Sequence, residues 1–193
     1  MQCLVATDIH GITPALRTLL APLGVIQYLS PWDNQPPPSA DETQNAAAFH
    51  AANGLHAYAA RINTALRQRP TLLIAFSVGA ASAWHAIASA HCATHHLAIL
   101  YYGSRIRDAL HLVPRCPVHL RFAERESAFR PQDLLPALNT TANTRATLLP
   151  GTQHGFMNPQ HPAYNPTLAK REIRWLQHCR QQQKFVDAPE HAP

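Results

Sequence analysis

The sequence predicts an α/β fold in which a mainly parallel sheet of about six strands carries helices on both faces. Short apolar runs recur along the chain, helix-type segments alternate with them, and no internal repeat divides the chain. With 193 residues, 46% of them hydrophobic, the chain has enough apolar material for one sizeable core. We expect residues 1–186 to form a single domain and residues 187–193 to form a frayed C-terminal tail.

The apolar runs that predict strands are short enough to cross a buried sheet once. They are residues 3–6, 25–29, 71–76, 97–101, 118–122 and 146–149. The segments that predict helices are residues 14–23, 45–69, 79–90, 131–138 and 170–181. The first of these helices has Thr13 as its cap and a proline at its first position. The proline-rich residues 30–43 predict a loop.

The charge pattern argues against a nucleic-acid surface. The formal net charge is +5, but only 14% of the residues are charged, against a typical ~25%. The basic balance therefore reflects few acidic residues, and the 16 Lys and Arg residues are scattered rather than clustered among aromatic residues. We expect no nucleic-acid partner.

The cysteines and the apolar segments indicate a reduced, soluble, cytoplasmic protein. The four cysteines lie far apart and form no C-x-x-C pair, which argues against a zinc ribbon or a thioredoxin-type site. No signal peptide is recognised at the N-terminus, and no apolar stretch reaches the ~18 residues of a membrane helix. We therefore expect no membrane association, and the sequence leaves the oligomeric state open.

Ser77 lies where a predicted strand runs directly into a predicted helix. Residues 75–79 read Ala-Phe-Ser-Val-Gly, which is close to the G-x-S-x-G nucleophile elbow with Ala75 in place of the first glycine. Small residues two before and two after the serine allow the sharp turn that exposes its hydroxyl above the helix N-terminus. The alternative is that Ser77 only caps the helix that follows.

Two further strand ends supply a base and an acid. His154 follows the sixth predicted strand, in a Gly-x-x-His-Gly-Phe segment, and Glu126 follows the fifth. Serine, acid and histidine in this chain order are typical of the α/β-hydrolase catalytic triad. Glu124 and Asp133 compete with Glu126 for the role of the acid.

The turn after the first strand is the expected second half of an oxyanion hole. One amide would come from Val78, directly after the serine, and the other from Ile9. Asp8 stands beside Ile9, either to position this turn or to hydrogen-bond near the Ser77 hydroxyl. Its alternative role is that of an ordinary turn-forming Asx residue.

In their order and spacing, these segments resemble the dienelactone hydrolase family of α/β-hydrolases, from residue 6 to residue 179. Residues 7–11 are similar to the acidic turn of that family, 75–79 to its elbow, and 100–103 to its Tyr-Tyr-Gly strand end. Residues 122–126 and 151–156 are similar to the segments that carry its acid and its histidine. The resemblance implies a compact α/β-hydrolase fold without a large lid.

The resemblance also implies a serine hydrolase that acts on a small-molecule carboxylic ester or lactone, with no metal or organic cofactor. It assigns Ser77, His154 and Glu126 to the triad and the amides of Ile9 and Val78 to the oxyanion hole. The residues expected near the substrate are Asp8, His10 and Tyr102. We find no counterparts of the arginines that would hold a dienelactone carboxylate, and Arg105 matches no motif, so the substrate stays open.

Two alternatives remain at this stage. The atypical Ala75, the glutamate in place of aspartate and the short chain are also compatible with a catalytically degenerate α/β-hydrolase fold that serves as a binding protein. A thioesterase or an acyltransferase would use the same triad with a different leaving group or acceptor.

Overall fold

The computed structural model describes residues 1–33, 35–67 and 69–187, which are built around one six-stranded sheet. The strands are β1 (Gln2–Ala6), β2 (Ile26–Leu29), β3 (Thr71–Phe76), β4 (Leu97–Tyr101), β5 (Val118–Arg125) and β6 (Thr144–Gln153). They pair in the order β2-β1-β3-β4-β5-β6, and every pairing is parallel. The predicted parallel sheet of six strands is confirmed. The predicted tail lies outside the described residues apart from Asp187.

Helices cover both faces of the sheet. They are α1 (Pro14–Leu20), α2 (Glu42–Ala51), α3 (Gly54–Leu66), α4 (Val78–Ala88), α5 (Leu135–Thr140) and α6 (Pro166–Gln182). Short 3₁₀ helices lie at Ala21–Leu23, Ser104–Ala109 and Pro131–Leu134. None of the helices among the described residues is long and apolar enough to cross a bilayer.

Alternate residues of each buried strand supply two separate cores. Leu4 of β1 and Leu73 of β3 point into one core, together with Trp84 of α4. Val5 and Ile74, their neighbours in sequence, point into the other, which α1 and α6 close. Strands buried on both faces are typical of parallel sheets, and this explains why the strands appear in the sequence as continuous apolar runs.

The prediction of one helix over residues 45–69 is wrong, because the structure forms two helices, α2 and α3, with a break between them. Asn53 adopts a left-handed conformation with φ of 50°, and Gly54 follows it. A Cβ atom at Gly54 would lie 2.5 Å from the Phe49 side chain, so the chain turns where a glycine allows close approach. Of these two helices, α2 begins at Glu42 rather than at the predicted residue 45, because the Asp41 side chain accepts a hydrogen bond from the Gln44 amide at 2.8 Å.

The last helix also begins before its predicted start at residue 170. Its cap is Asn165, whose side chain accepts from the Leu168 amide at 3.0 Å, and Pro166 occupies the first helical position. This is the same cap-and-proline signal that marks the start of α1 at Thr13 and Pro14. The additional turn adds the buried Leu168 and Ala169 to the core that α1 and α6 close.

The buried His119 on β5 should make the protein less stable in acid. The side chain is buried, and its ring centroid lies 4.3 Å from that of Phe185 and 5.3 Å from that of Trp175. Burial, with smaller contributions from Arg145 and Arg121, lowers the pKa of His119 from 6.5 to about 4. The unfolded chain therefore binds the additional proton between these two values, and stability falls as the pH drops through that range.

We expect this loss to reach about 3 kcal/mol in the free energy of unfolding. Urea denaturation from about pH 7 down to about pH 4 would measure it. His119→Phe should flatten the pH dependence, whereas the matched change at the exposed His178 should not. Parallel pH profiles for the wild type and His119→Phe would contradict the prediction.

Candidate active site

Ser77 occupies the sharp turn between β3 and α4. Its φ of 51° and ψ of −116° lie in a region that residues other than glycine rarely adopt. The side chain makes no capping hydrogen bond with α4, although its position would allow one. The geometry therefore does not support the alternative that Ser77 only caps this helix.

The residues around Ser77 explain why the turn tolerates so few side chains. A Cβ atom at Gly79 would lie 2.5 Å from the backbone oxygens of Ala6 and Thr7, so only glycine lets α4 approach β1 this closely. Ala75, which replaces the first glycine of the motif, is completely buried within β3. Its single methyl group is accommodated there, and the turn forms without the first glycine of the motif.

Ser77, His154 and Glu126 form one hydrogen-bonded chain. Ser77 Oγ lies 2.9 Å from His154 Nε2. On the other side of the ring, His154 Nδ1 lies 3.0 Å from Oε1 and 2.9 Å from Oε2 of Glu126. The Glu126 side chain is only 4% exposed, whereas that of His154 is 29% exposed. A carboxylate accepts only, so Nδ1 carries the proton in this arrangement and Nε2 can accept one from Ser77.

The two competing acids lie elsewhere. Glu124 accepts a hydrogen bond from the Gly151 amide at 2.9 Å, which ties the end of β5 to β6. Asp133 forms an exposed ion pair with Arg130 at 3.9 Å. Of the three carboxylates, Glu126 is the one that the fold brings to His154.

The turn after β1 is held from three sides. The Asp8 carboxylate accepts from the His10 amide at 3.0 Å through one oxygen and from the Asn158 side chain at 3.0 Å through the other. Trp32 donates its ring N–H to the Ile9 carbonyl at 2.7 Å. Burial raises the pKa of the Asp8 carboxyl, and these donors oppose the increase. Asp8 thus acts as a turn-forming Asx residue that also joins the turn to the loop carrying His154.

The three residues expected near the substrate lie at different depths. All three line one small cavity of about 10 Å³, but Asp8 and Tyr102 are almost fully buried, whereas the His10 side chain is 29% exposed. The Tyr102 ring lies edge-on to His154, with 4.9 Å between the centroids. Among the described residues, none forms a hydrogen bond with the buried Tyr102 hydroxyl. Tyr102 thus contacts His154 by packing between the two rings.

Ser104 is a polar contact of this site that the sequence analysis missed. Its hydroxyl lies 3.0 Å from Glu126 Oε2 and 3.3 Å from His154 Nδ1. The signal was present, because Ser104 comes three residues after the end of β4, near the same edge of the sheet as Ser77 at the end of β3. A serine in a turn is common, however, and only the folded chain shows that this one faces the acid.

Arg105, which matches no motif in the sequence, forms an ion pair with Asp108 at 2.6 Å. About half of its side chain is exposed. Among the described residues, no group of three or more His, Cys, Asp or Glu side chains is arranged to hold a metal ion.

Known structures share this fold. The dienelactone hydrolase-like promiscuous phosphotriesterase P91 from metagenomic libraries superposes with a TM-score of 0.66 at 14% identity, covering 94% of this chain and 86% of the other. A cold-adapted esterase from an Arctic intertidal metagenomic library gives 0.61 at 18% identity, covering 92% and 82%. A proposed dienelactone hydrolase from Klebsiella pneumoniae subsp. pneumoniae MGH 78578 gives 0.59 at 17% identity, covering 90% and 85%. The chain therefore has the α/β-hydrolase fold, as predicted.

The sequence comparisons cover less of the chain than the structural ones. No protein-family profile matches the chain. The uncharacterized protein YczH from Bacillus subtilis (strain 168) is 36% identical over 111 residues, which is 55% of this chain and 54% of that protein. The match thus spans about half the length of the curated relative. The structures that share the fold include a proposed dienelactone hydrolase and a dienelactone hydrolase-like phosphotriesterase, in line with the resemblance seen in the sequence.

Proposed function

We propose that this protein is a serine hydrolase of carboxylic esters or lactones that acts through an acyl-enzyme. The observation that carries the proposal is the hydrogen-bonded chain from Ser77 through His154 to Glu126. It begins at a serine held in a strained turn, and strain of this kind is concentrated at functional sites. The neighbouring structures named as esterases or hydrolases support the same class of reaction.

In the first half-reaction, Ser77 Oγ attacks the carbonyl carbon of the substrate while His154 Nε2 takes the serine proton. Glu126, hydrogen-bonded to Nδ1, stabilises the imidazolium that forms. The tetrahedral intermediate then collapses, the carbon–oxygen bond to the leaving alkoxide breaks, and His154 returns the proton to that oxygen. A lactone would open in the same step, and its alcohol would stay attached to the acyl group.

The backbone amides of Val78 and Ile9 would donate hydrogen bonds to the carbonyl oxygen as it becomes negatively charged. Val78 is the first residue of α4, where amides have no acceptor within the helix and the helix dipole favours an anion. The bonds from Trp32 and Asn158 hold the Ile9 turn in place before the substrate arrives.

In the second half-reaction, water attacks the acyl-enzyme with His154 as base, which regenerates Ser77.

A fluorophosphonate probe tests this proposal directly. Such a reagent phosphonylates a serine only when an adjacent base and an oxyanion hole activate it, so we expect covalent labelling at Ser77. Intact-mass and peptide mass spectrometry would locate the adduct, and Ser77→Ala should remain unlabelled. A folded wild-type protein that takes up no probe and hydrolyses no p-nitrophenyl ester would favour the degenerate binding protein instead.

A further inference from the structure

Ser104 contacts both the acid and the base of the proposed triad. Its hydroxyl lies 3.0 Å from Glu126 Oε2, and because a carboxylate accepts only, the hydroxyl is the donor in that bond. The same oxygen lies 3.3 Å from His154 Nδ1, so its lone pairs are available to the Nδ1–H group. Ser104 is thus placed to interact with both partners at once.

The backbone around Ser104 is closely held. Ser104 is the first residue of the 3₁₀ helix Ser104–Ala109, and its carbonyl accepts from Arg107 Nη1 at 2.9 Å. At the preceding Gly103, a Cβ atom would lie 2.7 Å from Ile106 and 3.1 Å from Ala80 of α4. The chain is therefore pressed against α4 immediately before Ser104, and the hydroxyl projects from a fixed position.

The acid of this site needs such a partner more than an aspartate would. Glutamate has one more rotatable bond than aspartate, so its carboxylate has more positions available to it. In this structure both oxygens of Glu126 lie almost equally close to His154 Nδ1, at 3.0 and 2.9 Å, so the histidine alone does not select one of them. The bond from Ser104 engages Oε2 and distinguishes the two oxygens.

We propose that Ser104 is a positioning residue that holds the Glu126 carboxylate and, through it, the Nδ1–H tautomer of His154. This tautomer leaves Nε2 free to accept the Ser77 proton. The role in catalysis rests on the proposed hydrolase function, whereas the effect on the tautomer does not depend on turnover.

Steady-state kinetics with a p-nitrophenyl ester tests the catalytic part. Ser104→Ala should lower kcat about tenfold, the usual effect of losing one hydrogen bond to a charged group, and should leave KM unchanged. Ser104→Thr, which keeps the hydroxyl, should retain most of the activity. The matched control is Ser127→Ala, an exposed serine next to Glu126 that should behave as the wild type.

A double-mutant cycle shows whether Ser104 acts through the acid. In the Glu126→Ala background, Ser104→Ala should cause no further loss of kcat. An equal loss in both backgrounds would overturn the proposal, as would wild-type kcat in Ser104→Ala. A threonine variant no more active than the alanine variant would count against the hydroxyl as the acting group.

Nitrogen-15 NMR of the His154 ring tests the tautomer without any substrate. In the wild type at neutral pH, we expect the neutral ring to carry its proton on Nδ1, and in Ser104→Ala a larger fraction should carry it on Nε2. An unchanged tautomer ratio would overturn the proposal even if the wild type were an active hydrolase. A shifted ratio in a wild type without esterase activity would support the positioning role and reject the hydrolase function.

Discussion

Ser77→Ala should reduce kcat for ester hydrolysis by about 10⁴–10⁶-fold, the loss typical of removing the nucleophile of a triad. The change removes the oxygen that lies 2.9 Å from His154 Nε2 and leaves the proposed oxyanion hole in place. The fold should survive, because the Ser77 side chain makes no capping bond to α4. Initial rates with a p-nitrophenyl ester and far-UV circular dichroism would measure activity and fold separately.

Ser77→Gly gives this prediction a matched control. It also removes the hydroxyl, but glycine adopts a φ of 51° without strain. We expect Ser77→Gly to be as inactive as Ser77→Ala and to have a free energy of unfolding about 1 kcal/mol higher. A Ser77→Ala protein with activity near that of the wild type would exclude Ser77 as the nucleophile.

Much of the fold could be predicted because parallel strands are buried on both faces. The bounds of β3 and β4 coincide with the predicted apolar runs 71–76 and 97–101. The break between α2 and α3 was not predictable in the same way. It depends on the left-handed Asn53 and on the close approach of Gly54 to the Phe49 ring, a contact that helical periodicity does not report.

The candidate site was predictable to the extent that it lies at strand ends. Ser77 follows β3, Glu126 follows β5 and His154 follows β6, and in a parallel sheet these ends share one edge. The choice between Glu126 and Glu124 depended on side-chain direction near an irregularity in the β5–β6 pairing, at Ala123/Arg125. The sequence alone could rank these acids but could not show which of them reaches His154.

A buried ion pair beneath α6 could not be predicted from the sequence either. We expect its disruption to cause a large loss in the free energy of unfolding. Glu172 lies on α6 and is fully buried, with Arg121 of β5 as its partner through two hydrogen bonds. The Tyr101 hydroxyl donates to the same carboxylate at 3.0 Å. The Arg121 guanidinium also contacts the Thr147 hydroxyl at 3.3 Å and lies 5.0 Å from the centre of the Trp175 ring.

Glu172→Ala should lower the free energy of unfolding by about 3–5 kcal/mol, because it leaves the buried Arg121 guanidinium without a countercharge. Urea denaturation would measure the loss. Asp133→Ala provides the control, since this carboxylate is exposed and its ion pair is long, and we expect a change below about 1 kcal/mol. Equal losses in the two variants would contradict the prediction.

A double variant that removes both charges shows whether the loss in Glu172→Ala comes from the missing ion pair or from the unpaired Arg121 charge. Arg121→Met combined with Glu172→Leu removes both charges, and it should be more stable than Glu172→Ala alone. It still leaves the buried Tyr101 hydroxyl without its acceptor, at a cost of about 1–3 kcal/mol. Adding Tyr101→Phe should recover part of that cost. A double variant less stable than Glu172→Ala would mean that the pair itself, rather than the unpaired charge, carries the stability.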